Sequence, residues 1–238
     1  MSKSVIVVGT GNAALCAALA ALENGAKVTL LEKADESLSG GNTKYTAGAM
    51  RFAYDGADDL MPLLRNPDDP RVKNADFGSY TTEKFANDLL GFNAGRPLSD
   101  EQQVLVHQSG ATMRWLASHG VKFEPIYSRQ SFEKQGRHVF WGGLTLAAEN
   151  EGVGLFDMEL AAVERLGGTV RYNSAVTDLI TEAGRVCGVK IGEEHLRADA
   201  VILACGGFEA NGALRVKHMG ENWEAAKVRG TPHNTGDG

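Results

Sequence analysis

One stretch near the amino terminus constrains the fold more than any other part of the sequence. Four consecutive apolar residues, 5–8, are typical of a strand buried on both faces, as in a parallel sheet. The GxGxxA loop of residues 9–14 follows, and small and apolar residues then predict a helix up to residue 22. Residues 27–31 predict a second strand that ends at Glu32. This strand–turn–helix–strand order favours a dinucleotide-binding unit over an ordinary glycine turn.

Each position in this stretch has a predicted physical role. Gly9 permits a tight turn, Gly11 lets the backbone approach a pyrophosphate, and Ala14 lets helix and strand lie close together. The helix amino terminus offers free N–H groups and its positive dipole end to phosphates. Glu32 follows Ala14 by 18 residues, where a carboxylate can accept hydrogen bonds from ribose hydroxyls. The carboxylate charge would repel a 2′-phosphate, which argues against NADP.

Composition and charge exclude several classes of function. The chain has 238 residues, a formal net charge of −6 and no block of lysine or arginine, so we expect no nucleic-acid partner. The three cysteines form no CxxC pair, which favours free thiols in a reducing compartment. No metal-ligand spacing occurs. The first strand begins almost at once and no apolar run reaches membrane-spanning length, so we expect a cytoplasmic protein without membrane insertion.

A second loop of small residues follows Glu32. Residues 37–41 are rich in serine and glycine, and residues 42–50 are mostly small. Such residues let backbone N–H groups lie against a planar or anionic ligand, although a plain surface loop is the alternative.

The remaining sequence alternates helical and strand patterns. Helices are predicted near residues 58–64, 82–92, 99–119, 152–166 and 209–219. Short strands are predicted at residues 121–126, 169–172, 175–181, 186–191, 195–198 and 200–204. The strand at 200–204 delivers Gly206 and Gly207, we expect, to the same carboxyl edge as Gly9. The fold class is therefore α/β, with a Rossmann-like doubly wound parallel sheet and an added antiparallel β-meander.

Five motifs in this order resemble the FAD-binding domain of the fumarate reductase and succinate dehydrogenase flavoprotein family. They are Gly9-Thr10-Gly11, Glu32-Lys33, Gly40-Gly41-Asn42-Thr43, Ala204-Cys205-Gly206-Gly207-Phe208 and Thr235-Gly236-Asp237-Gly238. The resemblance spans essentially the whole chain. Within the family, GNAALCAA and GTPHNTGDG are most similar to FAD-dependent tricarballylate dehydrogenases.

The resemblance implies non-covalently bound FAD and a role for each matching residue. The implied cofactor-binding residues are Gly9, Gly11, Asn12, Ala13, Ala14, Glu32, Lys33, Gly40, Gly41, Asn42, Thr43, Thr46, Ala47, Gly48, Ala49, Val176, Ala204, Cys205, Gly206, Gly207 and Asp237. Thr46 to Ala49 would line the isoalloxazine, Val176 would contact adenine through its backbone, and Asp237 would face the flavin. Ala49 replaces a glycine usual in the family and Cys205 replaces a common threonine, and both remain small.

The family's capping domain, with its arginine proton donor and substrate-gripping histidines, follows the GDG turn. Residues 1–238 are therefore expected to be an amino-terminal portion of an FAD-binding domain, with the catalytic residues unknown. Arg137 and His138 are candidates for gripping a carboxylate, although a polar loop explains them more simply.

The resemblance implies oxidation or reduction of a CH–CH bond in a small di- or tricarboxylate. An electron acceptor or donor protein would then be a partner. Two alternatives stay open: a dehydrogenase of an apolar substrate such as a 3-ketosteroid, and a non-catalytic dinucleotide-binding module.

Overall fold

The computed structural model describes residues 2–238, which form two compact units. The first unit contains the residues up to Thr46 together with Leu155–Gly238, and the second contains Ala47–Gly154. In chain order the strands are β1 (Ser4–Val8), β2 (Lys27–Leu31), β3 (Ala49–Met50), β4 (Ala75–Asp76), β5 (Phe123–Pro125), β6 (Ser131–Lys134), β7 (Arg137–Phe140), β8 (Leu146–Ala148), β9 (Thr169–Arg171), β10 (Asp178–Glu182), β11 (Arg185–Ile191), β12 (Glu194–Arg197) and β13 (Ala200–Leu203). The α-helices are α1 (Asn12–Glu23), α2 (Ala57–Leu60), α3 (Pro70–Lys73), α4 (Thr82–Phe92), α5 (Asp100–Ser118), α6 (Tyr127–Gln130), α7 (Glu151–Arg165) and α8 (Gly212–Met219).

A four-stranded parallel sheet organises the first unit. Its strand order is β13-β1-β2-β9, so the strand that begins the chain lies at the centre. The apolar run of β1 fits this place because a central parallel strand is covered on both faces. Val7 is fully buried, and Ile6 and Val8 are nearly so. The predicted parallel sheet is confirmed.

Helix α1 connects β1 to β2 and covers one face of the sheet. It begins at Asn12 and ends at Glu23, one residue beyond each end of the helix predicted for residues 13–22. Its buried residues are Ala14, Leu15, Ala18 and Leu19, which recur at one-turn spacing and form a single apolar stripe. The α1 amino terminus is thereby fixed at the carboxyl edge of β1.

An antiparallel meander of β10, β11 and β12 packs against the sheet. Its Val189 joins Ile6, Val8 and Leu31 in one buried cluster. The meander was predicted, but the strand predicted at 175–181 begins only at Asp178. The chain enters the meander from the end of β2, where Ser174 donates its backbone N–H to the carbonyl of Glu32 at 2.8 Å, and its first backbone hydrogen bond to β11 runs from the Thr177 N–H to the carbonyl of Lys190 at 2.9 Å.

The second unit contains helices α2–α6 and two small sheets, β3-β8-β5 and β4-β7-β6. Helix α5 begins at a capping box, in which the side chains of Ser99 and Gln102 each accept the other's backbone N–H. The prediction that the sequence favours, a polar loop around Arg137 and His138, was wrong, because β6 and β7 form a hairpin there. Gln135 and Gly136 both have positive φ, at 52° and 74°, and such a pair favours a tight two-residue hairpin turn.

Among residues 2–238 no helix combines the length and apolar character needed to cross a membrane. Within the same residues no group of three or more His, Cys, Asp or Glu side chains could hold a metal ion.

Candidate functional site

A cavity of about 550 Å³ lies in the first unit, at the carboxyl ends of β1, β2 and β13. This edge is where open α/β sheets bind ligands. The lining residues are Val8, Gly9, Thr10, Gly11, Asn12, Ala13, Leu31, Glu32, Lys33, Leu38, Gly41, Asn42, Thr43, Ser174, Val176, Thr177, Asp178, Leu179, Leu203, Ala204, Cys205, Gly206, Thr231, His233, Asn234, Asp237 and Gly238.

Gly9 lets two strand ends meet at the cavity. Its φ is +109°, and a Cβ there would stand 2.5 Å from the carbonyl oxygen of Ala204. Its N–H donates to the carbonyl of Leu31 at 2.8 Å, so the turn after β1 is fixed to β2 as well. Any other residue would separate β1 from β13 at the point where both reach the cavity.

The α1 amino terminus presents donors to the cavity. The Asn12 N–H donates to the hydroxyl of Thr43 at 2.8 Å. The N–H groups of Ala13 and Ala14 have no partner among the described residues, as is usual for a first helical turn. Together with the positive dipole end of α1, they form a site suited to an anion.

Glu32 is buried at the end of β2, and both of its carboxylate oxygens accept hydrogen bonds. Thr10 Oγ1 donates to Oε2 at 2.5 Å, and the Ala34 N–H donates to Oε1 at 2.9 Å. The Thr10 hydroxyl also accepts the N–H of Gly40 at 3.0 Å, which connects the first loop to the second. The carboxylate is therefore held in place at the cavity wall, with lone pairs left for a ligand hydroxyl.

Gly40 brings the second loop against helix α7. Its φ is +97°, and a Cβ there would lie 2.8 Å from Cδ2 of Phe156. Lys44 lies over the same ring, with Nζ 4.2 Å from the ring centroid. These contacts fix the loop so that the next residues, Gly41 to Thr43, line the cavity.

Asn42 joins the second loop to the loop after β13. Its side-chain oxygen accepts the N–H of Thr231 at 2.9 Å, and its amide nitrogen donates to Glu209. Asn234 donates to the same Glu209 oxygen at 2.8 Å. Gly206 makes room for this network, since a Cβ there would lie 2.7 Å from the Asn234 amide.

Lys33 attaches the final segment of the chain to the end of β2. Its ammonium donates to Thr235 Oγ1 at 2.7 Å and to Asp237 Oδ2 at 2.5 Å. Burial alone raises the pKa of the Asp237 carboxyl, but the hydrogen bonds from Lys33 and Thr235 and the Lys33 charge outweigh burial and hold that pKa below its usual value. Asp237, expected to face the flavin, thus pairs with Lys33 in this structure.

A buried acid lies behind the glycine loop, between α1 and α7. The sulfur of Cys16 lies 3.4 Å from Asn12 Oδ1 and 3.7 Å from Glu159 Oε1. Its single thiol hydrogen can be donated to one of these two oxygens at a time. Glu159 is fully buried, and its Oε2 has no partner among the described residues. Burial raises the pKa of Glu159 to about 8, so the side chain is mostly protonated at neutral pH.

Most residues implied by the sequence line this one cavity. They are Gly9, Gly11, Asn12, Ala13, Glu32, Lys33, Gly41, Asn42, Thr43, Val176, Ala204, Cys205, Gly206 and Asp237. Outside the lining, in the first unit, are Ala14, Gly40, Thr46 and Gly207. Ala14 is fully buried on the sheet side of α1, and Gly207 lies where a Cβ would stand 2.4 Å from Glu209 Oε2.

Three further expected residues belong to the second unit. Ala47, Gly48 and Ala49 precede or begin β3, where Ala49 pairs with Ala147. Gly48 has φ +63° and accepts the N–H of Ala148 at 2.9 Å. Their contact with a flavin stays a prediction.

The sequence reasoning missed the segment before the GDG turn. Thr231, His233 and Asn234 all line the cavity, and His233 Nε2 is buried without a partner among the described residues. The available signal was the cluster of threonine, histidine and asparagine in GTPHNTGDG, since loops that carry clustered polar side chains often contact ligands. The missed Glu159 also had a signal, because it interrupts the apolar stripe that contains Leu155 and Ala162.

Comparison with known proteins identifies the family to which the chain that forms this cavity is similar. The family described as FAD binding domain matches residues 4–238. The urocanate reductase of Eggerthella lenta is 31% identical over 257 residues, which cover 98% of this chain and 36% of that protein. The chain thus spans little more than a third of this curated relative.

Two other similar proteins differ in the substrates that their names give. The open conformation of a flavocytochrome c3 fumarate reductase superposes with a TM-score of 0.72 at 25% identity, covering 99% of this chain and 39% of that one. A 3-oxosteroid 1-dehydrogenase of Mycobacterium tuberculosis is 35% identical over 114 residues, which cover 41% of this chain and 20% of that protein.

Proposed function

The chain belongs to the FAD binding domain family, and from this membership we propose that it forms the cofactor-binding portion of a flavoprotein oxidoreductase acting on a CH–CH bond of a small di- or tricarboxylate. The observation that carries the proposal is the joining of two glycine loops around one cavity. Asn42, Glu209 and Asn234 connect the loop after β2 to the loop after β13. A nicotinamide dinucleotide requires only the loop after β1.

The donor set of the cavity suits FAD. Gly9 and Gly206 admit the backbone approaches that shape it, and the Ala13 N–H and His233 Nε2 are donors or acceptors without internal partners among the described residues. A volume of about 550 Å³ lies in the range of cofactor sites, although FAD would extend beyond it. We assign the diphosphate to the α1 amino terminus and the ribose to Glu32.

The chain's own residues would orient the cofactor and shield it. FAD, when bound, supplies a centre that accepts or gives a hydride. Val176 and Leu179 provide an apolar wall for adenine, and Ala204 and Cys205 provide small groups at the other side. Burial raises the pKa of the Cys205 thiol, which therefore stays neutral beside the ligand.

We assign a small carboxylate as substrate because of the relatives' activities. The urocanate reductase and the flavocytochrome fumarate reductase carry names of carboxylate substrates, and both cover nearly the whole chain. The GNAALCAA and GTPHNTGDG segments support the finer proposal of a tricarballylate- or succinate-like substrate. An electron-transfer protein is the proposed partner.

An apolar substrate is the second candidate. The similarity to the 3-oxosteroid 1-dehydrogenase supports it, although that similarity covers 41% of this chain. A third candidate is a non-catalytic dinucleotide-binding module, which the cavity alone would equally serve.

The test has two parts. First, the purified chain is mixed with FAD, passed through gel filtration and scanned for flavin absorbance; we expect retained FAD, no competition from NAD, and yellow colour in the supernatant after acid precipitation. Second, the protein is expressed from its natural gene, loaded with FAD and mixed anaerobically with succinate, tricarballylate or 4-androstene-3,17-dione. Bleaching by a carboxylate supports the proposal, bleaching by the steroid alone supports the second candidate, and no FAD retention refutes all flavoprotein assignments.

A further inference from the structure

The cavity wall carries one cation and three acids. Lys33 is the only lysine or arginine among its described lining residues, and the acids are Glu32, Asp178 and Asp237. Asp178 pairs with Lys190 at 2.8 Å, and Glu32 is held by Thr10 and Ala34. Lys33 and Asp237 are therefore the two charged lining residues that pair with each other, and a bound ligand could replace either partner.

Lys33 and Asp237 join the end of β2 to a segment that lines the cavity, which we call the strap. The strap is the segment from Thr231 to Gly238. Near the carboxyl end of the strap Lys33 bonds Thr235 and Asp237, and the N–H of Gly236 between them donates to the carbonyl of Gly207 at 3.1 Å.

This pairing conflicts with a bound dinucleotide. The diphosphate of FAD carries about two negative charges, and its oxygens accept hydrogen bonds from an ammonium as a carboxylate does. The Asp237 carboxylate would repel the diphosphate while pairing with Lys33, the only lysine among the described lining residues. The Lys33 side chain is 25% exposed, so it is shielded from much of the solvent and its choice of partner is weakly screened.

We propose that Lys33 exchanges partners when the cofactor binds: its ammonium leaves the Asp237 carboxylate and bonds the diphosphate, and the Asp237 side chain is then free to turn toward the flavin. The Asp237 carboxylate then acts as a placeholder for phosphate in the cofactor-free protein. This inference rests on the proposed function, because it takes the diphosphate of FAD as the incoming anion.

ADP is the probe that isolates the exchange. It carries adenine, ribose and diphosphate but no flavin, so an Asp237–flavin contact cannot obscure the result. In isothermal titration calorimetry we expect Lys33→Gln to weaken ADP binding about tenfold. Asp237→Asn should tighten ADP binding about threefold, because it removes the competing charge. Neither variant should change the affinity for adenosine, which has no phosphate.

Matched variants control for net charge and for folding. Lys3→Gln makes the same charge change at the opposite edge of the sheet, where Lys3 pairs with Asp199 at 3.5 Å, and should leave ADP affinity unchanged. Lys33→Arg keeps the charge and should keep most of the affinity. Far-UV circular dichroism and thermal unfolding check that every variant is folded. The salt dependence of ADP binding should become shallower in Lys33→Gln.

The outcomes separate this inference from the proposed function. Weaker ADP binding by Asp237→Asn, or unchanged binding by Lys33→Gln, would overturn the exchange while FAD binding by the wild type still stood. A wild-type chain that binds neither ADP nor FAD would overturn both.

Discussion

Glu32 bonds neighbouring residues of the protein and also faces the proposed ligand. Its carboxylate fixes Thr10 and the backbone of Ala34, and it lines the cavity where a ribose is expected. Its burial makes a remaining lone pair a strong acceptor, because water competes little for it.

We predict that Glu32→Ala weakens FAD binding by roughly 1.5–3 kcal/mol through loss of a charge-assisted hydrogen bond. Flavin fluorescence quenching measures the change in affinity. Glu36→Ala, which removes an exposed carboxylate from the next turn, is the control and should bind FAD as the wild type does. Unchanged FAD affinity in a folded Glu32→Ala protein would show that the carboxylate does not hold the ribose.

Glu159 makes stability depend on pH. Its pKa of about 8 in the folded chain exceeds the ordinary 4.5, so the folded state binds the proton more tightly than the unfolded state does. The stability that the raised pKa of Glu159 contributes is fully present below pH 4.5, where the carboxyl is neutral in both the folded and the unfolded state. Stability therefore falls as pH rises from about 4.5 to 8 and then levels off, by an amount on the order of a few kcal/mol.

We predict that Glu159→Gln removes this loss, because glutamine has a similar size and no charge. Urea unfolding at pH 5 and pH 8 measures it, and the variant should exceed the wild type in stability at pH 8. Glu164→Gln on the exposed side of α7 is the matched control and should keep the wild-type pH dependence. A wild type with equal stability at both pH values would mean that Glu159 titrates normally.

At the scale of elements, Gly40 determines how the second loop meets α7. Its φ of +97° is unfavourable for alanine, and an added Cβ would lie 2.8 Å from Phe156. We predict that Gly40→Ala destabilises the chain by about 1–3 kcal/mol and also weakens FAD binding, because Gly41–Thr43 would shift.

Gly25 supplies the control for this prediction. Its φ is +76°, and nothing lies within 4 Å of an added Cβ, so Gly25→Ala tests the backbone strain without the contact. Thermal unfolding should show a larger loss for Gly40→Ala than for Gly25→Ala. Equal losses would mean that Phe156 gives way at no cost.

The elements that the sequence predicts well are those with local signals. β1, α1 and β2 follow from apolar runs and one glycine loop, and α5 follows from the Ser99 capping box. The β6–β7 hairpin was missed because its turn residues, Gln135 and Gly136, are not the usual Asn-Gly or Asp-Gly pair.

The site follows the same division. Gly9, Gly11 and Glu32 lie in a local pattern whose geometry is known from spacing alone. The Asn42–Glu209 contact joins residues 167 positions apart, and the strap reaches Lys33 across 204 positions, so nothing in the local sequence reports either. His233 became a candidate only once the fold placed it at the cavity.

At the scale of the whole molecule, the charges of the cavity suit a dinucleotide better than a free di- or tricarboxylate. Lys33 is the only lysine or arginine among its described lining residues, whereas gripping two carboxylates requires more than one cation. Arg137 and His138, the candidates from the sequence, lie on β7 in the second unit. There Arg137 reaches the carbonyl of Ala75 at 3.5 Å and His138 contacts Ser131 at 3.3 Å.

We therefore predict that the 238-residue chain, saturated with FAD, shows no steady turnover of succinate or tricarballylate with an artificial electron acceptor. Oxidation next to a carboxylate needs a base for one proton, a cationic grip and a site closed to water. The described lining offers Lys33 already paired with Asp237, and His233 as its only imidazole. Free FAD gives the background rate, and the Glu32→Ala chain controls for cofactor binding. Turnover well above that background, and lost in Glu32→Ala, would place the catalytic groups within residues 1–238.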